Sequence, residues 1–300
     1  MTSAKKGASV SDLHKNKVLI MAIMLGILAG PVVADTKASI KLLGGWAYLS
    51  AGDVNPGTQA YFAWHEARWE VSQGRYRAVH GGFELGGEIR FQLTQQIGIT
   101  AGGGYLEISR SSQTFYWDTE VSGGGSVIAH PNLSAMPIWL GLDLIMPIDS
   151  RLQVRAVAAP CMLLGARYAD QWLMGGWKTD TYPGYIYVTT RARKSGILIG
   201  LQGTIGLEFR LLKDVFLCLD ARGRYAKSGR WEGSSVLESD SLDSFFEQGE
   251  LYYESVPMLS GSPRVIMVQD APPDGPGGKP RRAVVDFSGI VLQMGVRIRL

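Results

Sequence analysis

Ile290-Val291-Leu292-Gln293-Met294-Gly295-Val296-Arg297-Ile298-Arg299-Leu300, at the C-terminal end, alternates apolar and polar residues. Leu292, Met294, Val296, Ile298 and Leu300 occupy one phase; Gln293, Arg297 and Arg299 occupy the other. Strand side chains point alternately to opposite faces, so this segment has one greasy face and one charged face. Such a strand needs an apolar medium on one side and a polar one on the other.

The same alternation recurs upstream. Candidate strands are Ser39–Ser50, Gly82–Gln92, Ile97–Arg110, Leu133–Ile148, Arg151–Tyr168, Ser195–Leu211 and Val215–Arg230, with the last over Val284–Leu300. The connections differ in kind. Leu93–Gln96, Asp149–Ser150 and Leu212–Asp214 are tight turns, whereas Ala51–Gly81, Ser111–Asn132, Ala169–Lys194 and Trp231–Ala283 are long. The two kinds alternate strictly. A chain running up and down through a membrane, with short periplasmic turns and long extracellular loops, produces this asymmetry. The expected fold is an all-β, up-and-down antiparallel transmembrane β-barrel of eight strands. Ten strands are the alternative, because Tyr252–Val256 and Arg264–Gln269 could add a pair; a hairpin above the membrane is the preferred reading of those segments.

Aromatics near strand ends (Trp46, Tyr48, Phe83, Phe91, Tyr105, Trp139, Tyr168, Phe209 and Tyr225) suit the girdles of such a barrel. Pro137 and Pro147 stand near strand ends. Pro160 stands well inside a strand, where it removes a ladder bond and predicts a bulge or fraying.

Composition agrees. Of 300 residues, 19% are charged, and the net charge of +3 is too weak to imply a nucleic-acid partner. No later apolar run is long enough for a spanning helix. Near the N-terminus, Lys15 and Lys17 precede the apolar core Val18–Ala29, Gly30-Pro31 breaks it, and Val32-Val33-Ala34 places small residues at a cleavage site. Residues 1–34 are therefore expected to be a cleaved signal peptide, and 35–300 the barrel domain. Cys161 and Cys218 fall on the polar phase at different heights, out of disulfide range, and are expected to be free thiols.

On the signal Lys15–Ala34, the alternating strands and the ending Leu292–Leu300, the chain resembles the small outer-membrane β-barrels of Gram-negative-type bacteria, of the OmpA, OmpX and OmpW kind. The resemblance is one of pattern and spans the whole mature chain. It implies an outer-membrane location and lipid and lipopolysaccharide as surroundings. It also implies that barrel assembly machinery reads Leu292, Met294, Val296, Ile298 and Leu300. Terminal strands of this family usually end in an aromatic residue; here the last residue is Leu300.

With the apolar phase on lipid, the lumen receives Glu84, Glu88, Arg90, Arg155, Glu208, Arg210, Asp220, Arg222, Arg224, Arg297 and Arg299, together with Lys41 and Asp143. An eight-stranded barrel is wide enough only for its own side chains. Charges of both signs in that space are expected to pair and plug it. A narrow arginine-lined, anion-favouring path is the alternative.

Candidate chemistry is sparse. His65, His80 and His130 are the histidines of the mature chain, and none forms a His-x-Ser pair. Each is expected in a surface loop. Gly102–Gly104 and Gly123–Gly125 lack the Lys-Ser/Thr of a phosphate loop; the first reads as strand, the second as loop. No catalytic residue, metal or cofactor is expected. The first long loop carries Trp64, Arg68 and Trp69, an aromatic and arginine cluster of the kind that anchors binding surfaces. The acidic stretch Glu232–Glu254 is expected to be solvated and partly disordered. The leading function is a non-enzymatic outer-membrane protein acting through surface loops in a structural, adhesive or binding role. The alternatives are a narrow pore or small-molecule conduit, and a lipid-modifying or proteolytic barrel enzyme.

Overall fold

In the computed structural model, which describes residues 37–67, 70–118, 123–178, 181–240, 244–255, 264–272 and 281–300, the C-terminal strand is paired on both edges. Eight strands form the tube: β1 (Lys37–Leu49), β2 (Gly81–Gln92), β3 (Ile97–Ser109), β4 (Asn132–Pro147), β5 (Leu152–Lys178), β6 (Leu198–Arg210), β7 (Val215–Tyr225) and β8 (Gly289–Arg299). Each pairs antiparallel with the next, and β8 returns to β1 with Ser39 opposite Arg299 and Leu49 opposite Gly289. The tube is therefore closed and has no open edge along this ring, as a hydrocarbon environment demands of backbone polar groups. The segment 1–34 lies outside the described residues.

The tight turns are made by local chemistry. Asp149 Oδ1 accepts the backbone N–H groups of Arg151 and Leu152 at 2.6 and 2.8 Å, an Asx-type turn between β4 and β5. Leu93 N–H donates to Ile97 O at 2.9 Å between β2 and β3.

The outer wall is apolar. Leu42, Trp46, Leu85, Leu142, Ile199, Leu201, Ile205, Leu219, Leu292 and Met294 are all exposed, Ile199 by 72% and Leu142 by 66%. A belt of this size is untenable in water and fits lipid. No helix among the described residues is long and apolar enough to cross a membrane; the strands do the crossing. Trp46, Tyr48, Phe83, Phe209 and Tyr225 face outward as expected for a girdle. Trp139 and Tyr168 do not: both are buried inside the tube, because the inward phase of β4 carries Trp139, and a bulge in β5 puts Tyr168 on the inner face.

The prolines act more gently than expected. On the β5 side, β4 pairs Trp139 with Cys161 and Leu142 with Ala158, skipping the rungs beside Pro160 without a change of register. The register shift lies higher, between Ser134 and Met136, opposite Gly165 with its φ of 57°. A residue in that left-handed region is cheap only for glycine, so the bulge sits where the glycine is.

Above the belt the described parts of the long connections form strands and a helix, which corrects the expectation of a solvated, partly disordered stretch over Glu232–Glu254. β5 runs on to Lys178, ten residues beyond the expected end at Tyr168. Its upper half pairs with strands Gly123–Ala129 and Thr181–Lys194. The sheet continues outward through Trp231–Ser239, Phe245–Ser255 and Arg264–Gln269 on one side, and through Ser112–Asp118 and Glu70–Arg75 on the other. Gly123–Gly125 thus lie in a strand, and the acidic stretch from Glu232 forms strands rather than a solvated loop. Phe245–Ser255 and Arg264–Gln269 form a hairpin above the ring, so the tube has eight strands and not ten.

The first long connection contains a helix, α1 (Val54–Glu66), which sequence reading missed. Val54, Thr58, Tyr61, Phe62 and His65 are its buried face, at the i, i+3 and i+4 spacing of a helix. That spacing was the available signal. α1 packs on Arg264–Gln269 and is pinned at its start: Asp53 accepts two bonds from Arg281, at 2.6 and 2.8 Å, and one from the Val284 N–H at 2.7 Å.

Candidate functional site

The interior is built in two levels. The lower level is ionic. Lys41 Nζ lies 2.7 Å from Asp220; Arg155 Nε lies 2.9 Å from Asp143, and its Nη1 also meets Glu88. Arg90 reaches Glu208 at 2.8 Å and contacts Asp143 as well. Arg297 reaches Glu208 at 2.6 Å, and Gln153 donates to the same carboxylate. Higher in the tube Glu84 takes Arg222 at 2.7 Å and Arg224 at 2.9 Å. The strands fold this way because each places its polar phase inward. In a tube this narrow the carboxylates and cations of different strands meet at hydrogen-bonding distance.

Nine of the eleven residues expected in the lumen network are brought together and buried: Glu84, Glu88, Arg90, Arg155, Glu208, Asp220, Arg222, Arg224 and Arg297. Lys41 and Asp143 join them. Arg210 and Arg299 do not belong to it. They stand at the ends of β6 and β8, where the tube opens, with Arg210 exposed and Arg299 half-buried. Their guanidinium carbons lie 5.7 and 5.2 Å from the centroid of the buried Phe216 ring, so both cations sit against its face at the open end of the tube.

Trp139 closes this level from above. The Arg222 guanidinium stacks on its indole at 4.2 Å from the ring centroid. The indole fits because position 102 is glycine: a Cβ there would lie 2.4 Å from Trp139 Cζ2. Gly102→Val is expected to displace the indole and cost roughly 1–3 kcal/mol by overpacking. A lowered urea midpoint of the folded barrel at unchanged slope is the readout.

The upper level is an apolar core of the soluble-protein kind, which sequence reading did not anticipate inside the tube. Leu49, Val54, Leu106, Ile108, Leu133, Leu163, Leu251, Val285 and Phe287 are all fully buried there. Trp231 stacks on Phe287 at 6.2 Å and donates Nε1–H to Ser228 O at 2.9 Å. Cys161 and Cys218 are free and buried.

α1 caps this core. Asn55 ties it to the wall: Oδ1 accepts the Val79 N–H at 2.7 Å and the Tyr76 hydroxyl at 2.9 Å, while Nδ2 donates to Val79 O at 3.0 Å. His65 is buried against Tyr61 and Trp64, not displayed on a surface loop. Burial lowers its pKa to about 4, so it is neutral at ordinary pH. Asp170 lies on the inner face of β5, above the apolar belt. Burial raises its carboxyl to about 6, against the pull of bonds donated by Trp172 Nε1 and by the Tyr168 hydroxyl at 3.0 Å. His80 bonds Leu49 O at 2.7 Å and stacks on Tyr48, and His130 is exposed. The three histidines occupy three separate settings.

Of the loop candidates, Trp64 is half-buried on α1 beside Tyr61 and His65, and Arg68 and Trp69 lie outside the described residues. Leu292, Met294, Val296, Ile298 and Leu300 all face outward along β8. Gln293 and Arg297 on the same strand are buried in the lumen.

No protein-family model matches the chain, and no curated protein matches it. Solved structures similar to it include the outer membrane protein OprG from Pseudomonas aeruginosa, at 10% identity and a TM-score of 0.39 over 88% of this chain and 97% of that one. A major outer membrane protein from Thermus thermophilus matches at 12% identity and 0.32, over 88% and 99%. The outer membrane protease OmpT from Escherichia coli matches at 9% and 0.30, over 90% and 99%. The architecture of this chain rests on its own strand register.

Proposed function

We propose that this chain is a non-conducting, non-enzymatic outer-membrane barrel that works through its extracellular sheet and helix, in a structural, adhesive or surface-binding role. The observation that carries this reading is the closed lumen. The side chains of Glu84, Asp143, Arg155, Glu208, Asp220 and Arg224 are 0% exposed, so no water-wide channel passes beside them. A second, apolar seal lies above. What the protein displays instead is a tall, ordered sheet with Trp117, Tyr185 and Phe246 exposed on it. Aromatic side chains offered on a rigid support favour binding. In this reading the outward row Leu292–Leu300 serves the barrel assembly machinery, and lipid and lipopolysaccharide surround the belt.

Single-channel recording on the refolded chain tests it, with folding established by a heat-dependent gel shift. No steady conductance steps are expected. Reproducible anion-selective steps that change when Arg222 or Arg224 is neutralised would overturn the proposal in favour of a pore.

A further inference from the structure

Three arginines converge on the outer wall just above the lipid belt. Arg167 on β5 is directly opposite Arg193 on the neighbouring strand Thr181–Lys194, and Arg191 stands two residues above Arg193 on the same face. All three are exposed, while Ala166, Tyr168 and Ala192 between them are buried, which fixes the arginines on the outside. Directly opposed positions bring Cβ atoms within about 4.5–5.5 Å, and like charges there destabilise a sheet. Residues two apart on a strand add roughly 6.6 Å. The three guanidinium groups can therefore reach one small anion together.

The protein offsets them only in part, through Glu232, directly opposite Arg193. Among the described residues none of the three is in an ion pair. The neighbours of Arg167 and Arg191 across the sheet are Ser134, Ala169 and Ser234. The acids nearby are Glu232, opposite Arg193, and Glu107, one strand beyond Ser134 and already held by the Tyr105 hydroxyl and Asn132 Nδ2 at 2.7 and 2.8 Å.

Height identifies the missing partner. Met162 and Ile197 are exposed apolar residues at the top of the belt, five positions below Arg167 and four below Arg193 on their respective chains. At about 3.3 Å per residue, less the strand tilt, this sets the arginines roughly 10 Å above the hydrocarbon edge. The headgroup zone is roughly 5–8 Å deep on each side of the hydrocarbon, and the long arginine side chains reach down into it from that height.

We propose that Arg167, Arg191 and Arg193 form a site for the phosphate of an outer-leaflet lipid headgroup, held against the barrel wall by charge-assisted hydrogen bonds. The lipid's acyl chains would lie down the exposed Met162–Ile197 side of the belt, and its phosphate would relieve the repulsion between Arg167 and Arg193. The inference rests on the reading of the chain as a membrane barrel.

The test titrates the folded chain in neutral detergent with short-chain phosphatidic acid, with phosphatidylcholine and with inorganic phosphate, and reads the thermal midpoint of the heat-dependent gel shift. The comparison is the triple variant Arg167→Gln, Arg191→Gln, Arg193→Gln, with Arg110→Gln as an exposed arginine elsewhere. Phosphatidic acid is expected to raise the midpoint of the native chain, and the triple variant to bind it roughly 100-fold more weakly, about fivefold per arginine. Arg110→Gln should bind as the native chain does. Stabilisation by inorganic phosphate equal to that by phosphatidic acid would show a free-anion site and overturn the lipid assignment. Equal affinity of native and triple variant, or an equal loss in Arg110→Gln, would overturn the site. Failure of the native chain to insert into phosphatidylcholine vesicles would instead overturn the barrel reading on which it stands.

Discussion

Glu208→Gln is expected to lower the stability of the folded barrel by about 3–5 kcal/mol, the cost of leaving buried cations without their counter-charge. Glu208 is the acceptor on which Arg90, Arg297 and Gln153 converge, and Lys41 lies 3.8 Å away. Glutamine keeps the shape and one acceptor oxygen but removes the charge. The lumen already holds Lys41, Arg90, Arg155, Arg222, Arg224 and Arg297 against Glu84, Glu88, Asp143, Glu208 and Asp220, so the loss deepens an existing excess of positive charge. No bulk water is available there to hydrate the orphaned guanidinium groups. The urea midpoint of the heat-shifted form in vesicles measures the effect, read at constant slope. Arg210→Gln is the control; at the exposed rim it should move stability by no more than about 0.5 kcal/mol. Adding Arg297→Met to Glu208→Gln should recover part of the loss, a coupling that a double-mutant cycle isolates. A Glu208→Gln midpoint matching that of Arg210→Gln would show the network to be energetically idle.

The second large effect is one of pH, and it separates the extracellular unit from the membrane tube. Asp170 has a folded-state pKa of about 6, above the roughly 3.9 of an unfolded aspartate. The folded state therefore binds this proton more readily. Its stabilising contribution, about 3 kcal/mol, is full below about pH 4 and is lost as pH rises through 6. His65 acts in the opposite sense. Its folded pKa of about 4 lies below the unfolded 6.5, so its contribution is present above pH 6.5 and is lost as pH falls toward 4. Asp170→Asn keeps an acceptor for Tyr168 and Trp172 and should protect the upper sheet at pH 8, with no advantage at pH 4. His65→Gln should blunt the loosening of α1 on acidification. Amide exchange in Gly123–Ala129 and Thr181–Lys194 follows the first, and in Val54–Glu66 the second. An Asp170→Asn effect that is the same at both pH values would mean that this carboxyl does not titrate in the folded protein.

The wall of this protein is written in local pattern. The period-two alternation of Leu292–Leu300 and its counterparts settles which residues face lipid, because a strand has only two faces and the membrane accepts only one kind of side chain. The strict alternation of short and long connections settles the direction of every strand. The lumen charges were legible for the same reason, down to Glu84, Arg155 and Glu208; Arg210 and Arg299 were misplaced because periodicity gives the face of a residue but not its depth. The rest comes from contacts between distant segments. The phase of its strand turns Trp139 inward, but the indole fits there only because Gly102, on another strand, leaves room for it. α1 is held as a helix by Asn55 meeting Val79, and by Asp53 meeting Arg281, far along the chain. The connection from Trp231 onward becomes sheet because β5 continues upward and offers its edge, through Thr181–Lys194, to strands that have little amphipathic pattern of their own. Local pattern reports the medium a residue faces. The partner that fills the remaining space is chosen by closure of the ring, which brings together residues that no window of sequence contains.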